Sequence, residues 1–308
     1  MTAAQAGPPR LRTIEQNEAR LAWRLVLPAV ALVSLTALGP LVWTVWESLH
    51  QHDLRLPWLG RPFVGLDNYR EAVTDSRFWW AAAHTGLFTL VSVGLEVVLA
   101  LALALAMSRA PRGRSAVRVA VLLPWAIPTV VAGLLWRFLF EEHTGLAAVA
   151  LTRTGVVPDG FAWLAAPRAA WVPIVLADVW KMTPFVALLL LAGLESIDPS
   201  VREAARMDGA GAWREFRDIT WPHLRPAVTV AALFRTLDGM RVFDLIYVLT
   251  GGGPGTATES ISIYTFHELL RSLRFGFGSG LAVLIFVVTF ACAWLYIKVV
   301  GRTLVEAP

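Results

Sequence analysis

Six apolar runs, at residues 25–49, 78–107, 119–140, 171–194, 227–249 and 279–300, divide this chain and leave it few ways to fold. Each reaches or exceeds the roughly 20 residues with which a helix crosses a hydrocarbon core about 30 Å thick. Lipid offers no partners to backbone N–H and C=O groups, so each run must satisfy its own, and helices are expected for all six. The composition agrees: 56% of the 308 residues are hydrophobic and 16% charged, outside the range of soluble globular domains. The expected fold class is therefore an all-α integral membrane protein with six transmembrane helices. An even number of spans places both termini on one side.

Which side follows from the short loops, because cytoplasmic loops carry the excess of Lys and Arg. One side holds Arg10, Arg12, Arg20 and Arg24, then Arg109, Arg112, Arg114 and Arg118, then Arg202, Arg206, Arg214, Arg217 and Arg225, and finally Lys298 and Arg302. The opposite side is sparser for its length. The expected organisation is a cytoplasmic tail at 1–24, a membrane domain at 25–300 with a large cytoplasmic loop at 194–226, and a cytoplasmic tail at 301–308. The first run is too long for a secretory leader and lacks a small-residue cleavage site, so it is expected to be a retained anchor. The formal charge of +4 does not point to nucleic acid, because the arginines are spread through loops rather than gathered on one face. The only cysteine, Cys292, permits no intrachain disulfide and no cysteine-rich metal site.

The loop reads "EAARMDGAGAWREFRDITWPHLRP" from 203 to 226. Asp198 and Pro199 form a helix start upstream of it, with Glu203 near the positive end of the helix dipole. Gly209 and Gly211 then interrupt, and a second short helix is expected from Ala212, with Trp213, Phe216 and Ile219 recurring every third residue until Pro222 breaks it. Membrane-surface helices are rich in Lys and Arg on their polar face. Here Glu195, Asp198, Glu203, Asp208, Glu215 and Asp218 nearly balance the arginines, a mixed-sign surface that suits a protein partner better than anionic lipid.

Charges also enter the membrane. The fifth run places Arg235, Asp238, Arg241 and Asp244 at three-residue steps, a spacing at which opposite charges pair along a helix. The fourth run has Asp178 and Lys181 at the same spacing, and the second has Glu96. Charges at such depth normally face a bundle interior or a watery path. Two readings stand side by side: structural pairs that set helix register, or groups that line or gate a polar pathway. The glycine-rich "TGGGPGTATES" at 250–260 lacks the lysine of a phosphate-binding loop and is expected to be a flexible turn outside the cell. "HELLR" at His267 fails the zinc pattern, since position 271 is arginine. With no catalytic constellation, the chain is expected not to be an enzyme.

Glu203, Ala204, Ala205, Gly209, Ile219 and Pro222 resemble, in type and spacing, the EAA motif of permease subunits in binding-protein-dependent ABC importers. "GLDNYREAV", "LPWAIPTVVAGLLWRFLF" and "FDLIYVLTGGGPGTATESISIYTF" extend the resemblance over most of the chain, to the maltose, glycerol-phosphate and trehalose type of permease. Trp221 departs from it, since the family usually carries leucine there. The resemblance implies the fold of a type I ABC importer permease and a half share of a sugar translocation pathway. It implies docking of Glu203, Ala204, Ala205, Asp208, Gly209, Trp213, Phe216, Ile219 and Pro222 on a cytoplasmic ATPase present in two copies. The ATP and Mg would belong to that ATPase, with no cofactor held by this chain. The further partners implied are a second homologous permease and a periplasmic or lipid-anchored sugar-binding protein, within membrane lipid of the bacterial inner membrane. The substrate expected is a disaccharide such as trehalose or maltose. The charges alone also admit an ion-coupled secondary transporter using Glu96, Asp178 and Asp238.

Overall fold

The computed structural model describes residues 11–109 and 114–305. Arg10, Arg112 and the outermost residues of both expected tails, 1–10 and 306–308, lie outside the described residues. Thirteen α-helices follow in order: α1 Leu11–Ser48, α2 Asp67–Thr74, α3 Ser76–Arg109, α4 Arg114–Ala126, α5 Thr129–Leu139, α6 Leu146–Arg153, α7 Trp171–Glu195, α8 Pro199–Met207, α9 Ala212–Glu215, α10 Trp221–Gly239, α11 Asp244–Leu249, α12 Ile261–Phe266 and α13 Phe275–Val305. β structure among the described residues is limited to two isolated bridges, His50 with Phe63 and Asp53 with Arg274. Residues 11–24 continue helix α1 rather than forming a tail, and residues 301–305 continue α13.

Among the described residues, four helical segments are long and apolar enough to cross a bilayer: Leu21–Ser48, Ser76–Ser108, Trp171–Glu195 and Phe275–Lys298. The other two expected spans are not single helices. The run at 119–140 is broken into α4 and α5, which meet at 90°. Pro128 is the cause: the residue before a proline is driven out of the α region, so Ile127 cannot carry α4 onward, and Pro128 itself takes ψ 138°. The run at 227–249 is broken between Gly239 and Asp244. There α10 carries Arg225, Arg235 and Asp238 within 19 residues, too charged for a simple span.

At the centre sits α7. Its Val186, Leu190, Leu191 and Leu194 pack with Ala100, Ala104 and Met107 of α3 and with Leu224 and Ala231 of α10. Without a hydrophobic drive between helices in lipid, close approach at small residues supplies the contact, and the alanines of α3 provide it. Helices α1 and α13 pack on each other at the periphery, with broad apolar faces turned outward.

The end of the bundle opposite the 194–226 loop is tied by charges. Arg77 donates to both carboxylate oxygens of buried Glu259, at 2.8 and 2.7 Å, and approaches Glu268, which Arg274 also meets. This network corrects the expectation of a flexible 250–260 turn. Thr258 is buried there and its hydroxyl donates to the Gly253 carbonyl at 2.7 Å, while the Trp171 indole donates to the Ala257 carbonyl at 3.0 Å.

Candidate functional site: a charged hairpin and a buried charge cluster

The 194–226 loop folds into a braced hairpin. Asp198 caps α8, its carboxylate accepting from the Ser200 N–H at 2.8 Å, and Pro199 takes the first helical position as the sequence predicts. That hydrogen bond holds the Asp198 carboxyl below its ordinary pKa. Asp208 is the last residue of the helix end, and Gly209 follows with φ 79°. The N–H of Ala210 reaches the Ala205 carbonyl at 3.0 Å and that of Gly209 the Arg206 carbonyl at 3.1 Å. These are the paired bonds of a Schellman motif, whose left-handed residue costs a glycine nothing and any other residue about 1 kcal/mol or more.

The guanidinium of Arg206 in α8 then grips Glu215 in α9 through both carboxylate oxygens, at 3.0 and 3.2 Å. Beyond Glu215 the expected break at Pro222 does not occur. A π turn over Phe216–Thr220 carries the chain into α10, with the Trp221 N–H bonded to the Phe216 carbonyl. A wider turn shifts the register at which an N–H is needed, so a proline at the second position of α10 interrupts nothing.

Three rings follow one another along this turn: Trp213 stacks on Phe216 at 5.8 Å, and Phe216 meets Trp221 at 6.3 Å. Trp221 thereby spends its extra bulk within the hairpin. Ile219 packs towards the α7 core. Glu203, Ala204, Asp208, Gly209 and Pro222 are exposed, and the bend is flanked by two large apolar side chains in the open, Met207 at 88% and Trp213 at 73%. The hairpin is thus braced internally and carries mixed charge with two exposed apolar side chains beside its bend.

Inside the bundle, the charges converge across helices rather than pairing along one. Arg235 of α10, 1% exposed, donates to Glu96 of α3 through Nε at 2.5 Å and Nη2 at 2.8 Å. Its Nη2 also reaches Asp178 of α7 at 2.9 Å, and its Nη1 meets Asp238. Thus only Arg235 and Asp238 keep the expected intrahelical pairing. Arg241 turns its Nε to the Leu237 carbonyl at 3.2 Å, and Asp244 begins α11, favourably placed at its positive end. Lys181 does not pair with Asp178; its ammonium donates to the carbonyls of Trp125 at 3.1 Å and Ile127 at 2.8 Å.

A cavity of about 130 Å³ opens beside the cluster, lined by Asp178, Lys181, Arg235, Asp238, Arg241 and Asp244 together with Thr129 and Phe243. Both helix breaks therefore border one polar space. Gly239 makes the approach possible: a Cβ there would lie 3.0 Å from Thr89 of α3. No group of His, Cys, Asp and Glu side chains arranged to hold a metal occurs among the described residues.

Residues 97–303 match the family described as the inner membrane component of binding-protein-dependent transport systems. Over 289 residues the chain is 41% identical to the trehalose/maltose transport system permease protein MalF of Thermococcus litoralis, covering 94% of this chain and 96% of that protein. It is 42% identical to the trehalose transport system permease protein SugA of Mycobacterium tuberculosis, covering 92% and 90%. The sulfoquinovosyl glycerol transport system permease protein SmoG of Agrobacterium fabrum is 35% identical over 95% of this chain and 94% of its own length. In structure, the chain is similar to one from a bacterial alginate ABC transporter in complex with an alginate pentasaccharide-bound periplasmic protein. The TM-score is 0.81 at 22% identity, over 96% of this chain and 98% of that one.

Proposed function

The chain belongs to the family of inner membrane components of binding-protein-dependent transport systems, a multi-pass ABC permease of the sugar-transporting kind, and from that premise we propose how it works. It forms half of the translocation pathway of an ATP-driven importer, beside a second homologous permease, with six spans and both termini in the cytoplasm. The broken runs α4 with α5 and α10 with α11 count as the third and fifth spans. The substrate is a disaccharide such as trehalose or maltose, the sugars for which two of its relatives are named, delivered by a periplasmic or lipid-anchored binding protein.

The observation that carries this reading is the hairpin. Its bend is fixed by Gly209, its two arms are fastened by Arg206 and Glu215, and Met207 and Trp213 project where a partner would bury them. Such a device transmits force without chemistry. The cytoplasmic ATPase, in two copies, uses the ATP and Mg, and this chain contributes no catalytic group. The polar cavity lies on or beside the sugar's route, with Asp238, Arg241 and Asp244 offering hydrogen-bonding groups suited to hydroxyls and Phe243 an apolar face.

Affinity capture of the tagged chain from mild detergent tests the reading. Recovery of an ATPase and a second permease, both lost when 203–209 is disrupted, is the expected result. Recovery of this chain alone, transporting in liposomes under an ion gradient, would overturn it in favour of an ion-coupled carrier.

A further inference from the structure

Lys181 is placed where a charged side chain needs a strong reason to be. It is buried in the central helix, and its ammonium is spent on two backbone carbonyls of another span. Those carbonyls belong to Trp125, in the last turn of α4, and Ile127, in the 90° break before α5. The final carbonyls of a helix have no partners of their own and carry its negative partial charge, so an ammonium there is both hydrogen-bond donor and counter-charge. Inside a membrane, where no bulk water competes, orphan carbonyls at a break must find such a donor.

Two further contacts fasten the same pair of helices. The ring of Trp125 stacks on Phe185 of α7 at 5.6 Å with 15° between planes. At the other end of α4, Arg118 is paired with Glu195, the last residue of α7. Helix α4 thus lies antiparallel along α7, held near both ends. Beyond the break, α5 packs mainly on α11 and also touches α7, where Trp136 meets Trp180. The third span thus changes its main neighbour at the break, and Lys181 holds the α4 side of that break to α7.

The C-terminal end of α7 leads directly into the hairpin: Ser196 follows Glu195, Arg202 of α8 donates to the Leu194 carbonyl at 2.8 Å, and Asp198 caps α8. Glu195 lies fourteen positions beyond Lys181 along α7, about 21 Å at the helical rise. We infer that Lys181 is a positioning residue, a clamp that fixes the broken third span to α7 so that movement at the hairpin reaches the polar cavity instead of being lost as sliding between α4 and α7. This inference rests on the importer reading given above.

The test uses the whole complex in membranes. Thr129, which lines the cavity just past the break, is replaced by cysteine in a Cys292→Ser background, and its rate of thiol modification is followed with and without vanadate-trapped nucleotide. Sugar uptake and ATP hydrolysis are measured in parallel. The parent complex is expected to change its modification rate on nucleotide trapping. Coupling between distant sites typically amounts to a few-fold to a few tens-fold, so Lys181→Met is expected to lose about tenfold in sugar moved per ATP hydrolysed while ATPase activity persists. Its Thr129→Cys response to nucleotide should vanish. Lys181→Arg, whose guanidinium can also serve two carbonyls, should restore both.

Should Lys181→Met fail to reach the membrane, Lys181→Gln is compared with Lys181→Arg, and equal coupling in those two overturns the clamp. Unchanged stoichiometry and an intact nucleotide response in Lys181→Met overturn it as well. A parent complex that neither hydrolyses ATP nor takes up sugar refutes the importer reading, whereas one that does both while its Thr129→Cys stays blind to nucleotide overturns the clamp, so the two failures are distinguishable.

Discussion

Replacing Arg235 by methionine removes the cation that joins buried carboxylates from two other helices, Glu96 of α3 and Asp178 of α7. Glu96 is fully buried and receives two hydrogen bonds from Arg235, at 2.5 and 2.8 Å, and Asp178 receives one at 2.9 Å. Asp238 matters less to folding, because its side chain is 56% exposed at the cavity and exposed pairs contribute little. Breaking one buried pair by removing a partner costs about 3–5 kcal/mol, mainly because the remaining charge is stranded. That corresponds to a loss of roughly two to three and a half orders of magnitude in the folded ratio. With Glu96 and Asp178 both stranded, Arg235→Met is expected to be nearly absent from the membrane. Neutralising all three, as Glu96→Gln, Asp178→Asn and Arg235→Met together, leaves no charge stranded and should restore most of the accumulation. The assay is the amount of full-length chain in membranes, followed by thermal unfolding of the complex in detergent. Wild-type accumulation and melting of the single Arg235→Met variant would refute the reasoning. The restored triple variant then separates the two roles open to this cluster: uptake that survives assigns it to helix register, and a folded complex that cannot transport assigns it to the pathway.

Asp238→Asn and Arg241→Gln, made one at a time, are expected to assemble normally and to slow uptake, and unchanged uptake in both would remove them from the pathway. Gly209→Ala has open space for its Cβ but must adopt φ 79°, at about 1–2 kcal/mol, so binding-protein-stimulated ATPase activity should weaken several-fold. Gly209→Pro should abolish it, and normal stimulation in that variant would contradict the docking role. The lowered pKa of Asp198 contributes stability that is present above the ordinary carboxylate range and disappears as pH falls through the lowered value. The protection of the Ser200 amide against hydrogen exchange, measured relative to its intrinsic rate at each pH, should therefore be lost only in acid, whereas Asp198→Ala should lose it already at neutral pH.

Apolar length made the long helices legible, and local cap chemistry made α8 legible, because both are properties of neighbouring residues. Asp198, Pro199 and Gly209 act through the chain within a few positions of themselves, and the structure finds them where their types predict. The breaks were harder. Pro128 signals one of them, yet hydropathy averaged over 119–140 hides a right-angle turn. The ion pairs were least legible, since Arg235 finds Glu96 across 139 residues of sequence and Arg77 finds Glu259 across 182. Three-residue spacing favours an intrahelical pair only while the helix continues, and α10 stops at Gly239. Pro222 misled for a related reason: a π turn moves the missing N–H out of the ladder, and no residue type announces that turn.

Met207 and Trp213 stand in the open on a hairpin that is otherwise well braced. In an assembled transporter that apolar surface would be covered; in a subunit made in excess of its ATPase it would stay in the cytoplasm, where chaperones and proteases recognise just such surface. Under the proposed docking, the same two side chains would act as a tally of partners: a permease that has found its motor would hide the mark and an orphan would display it, so the ratio of the subunits would be set by which copies survive as well as by how many are synthesised.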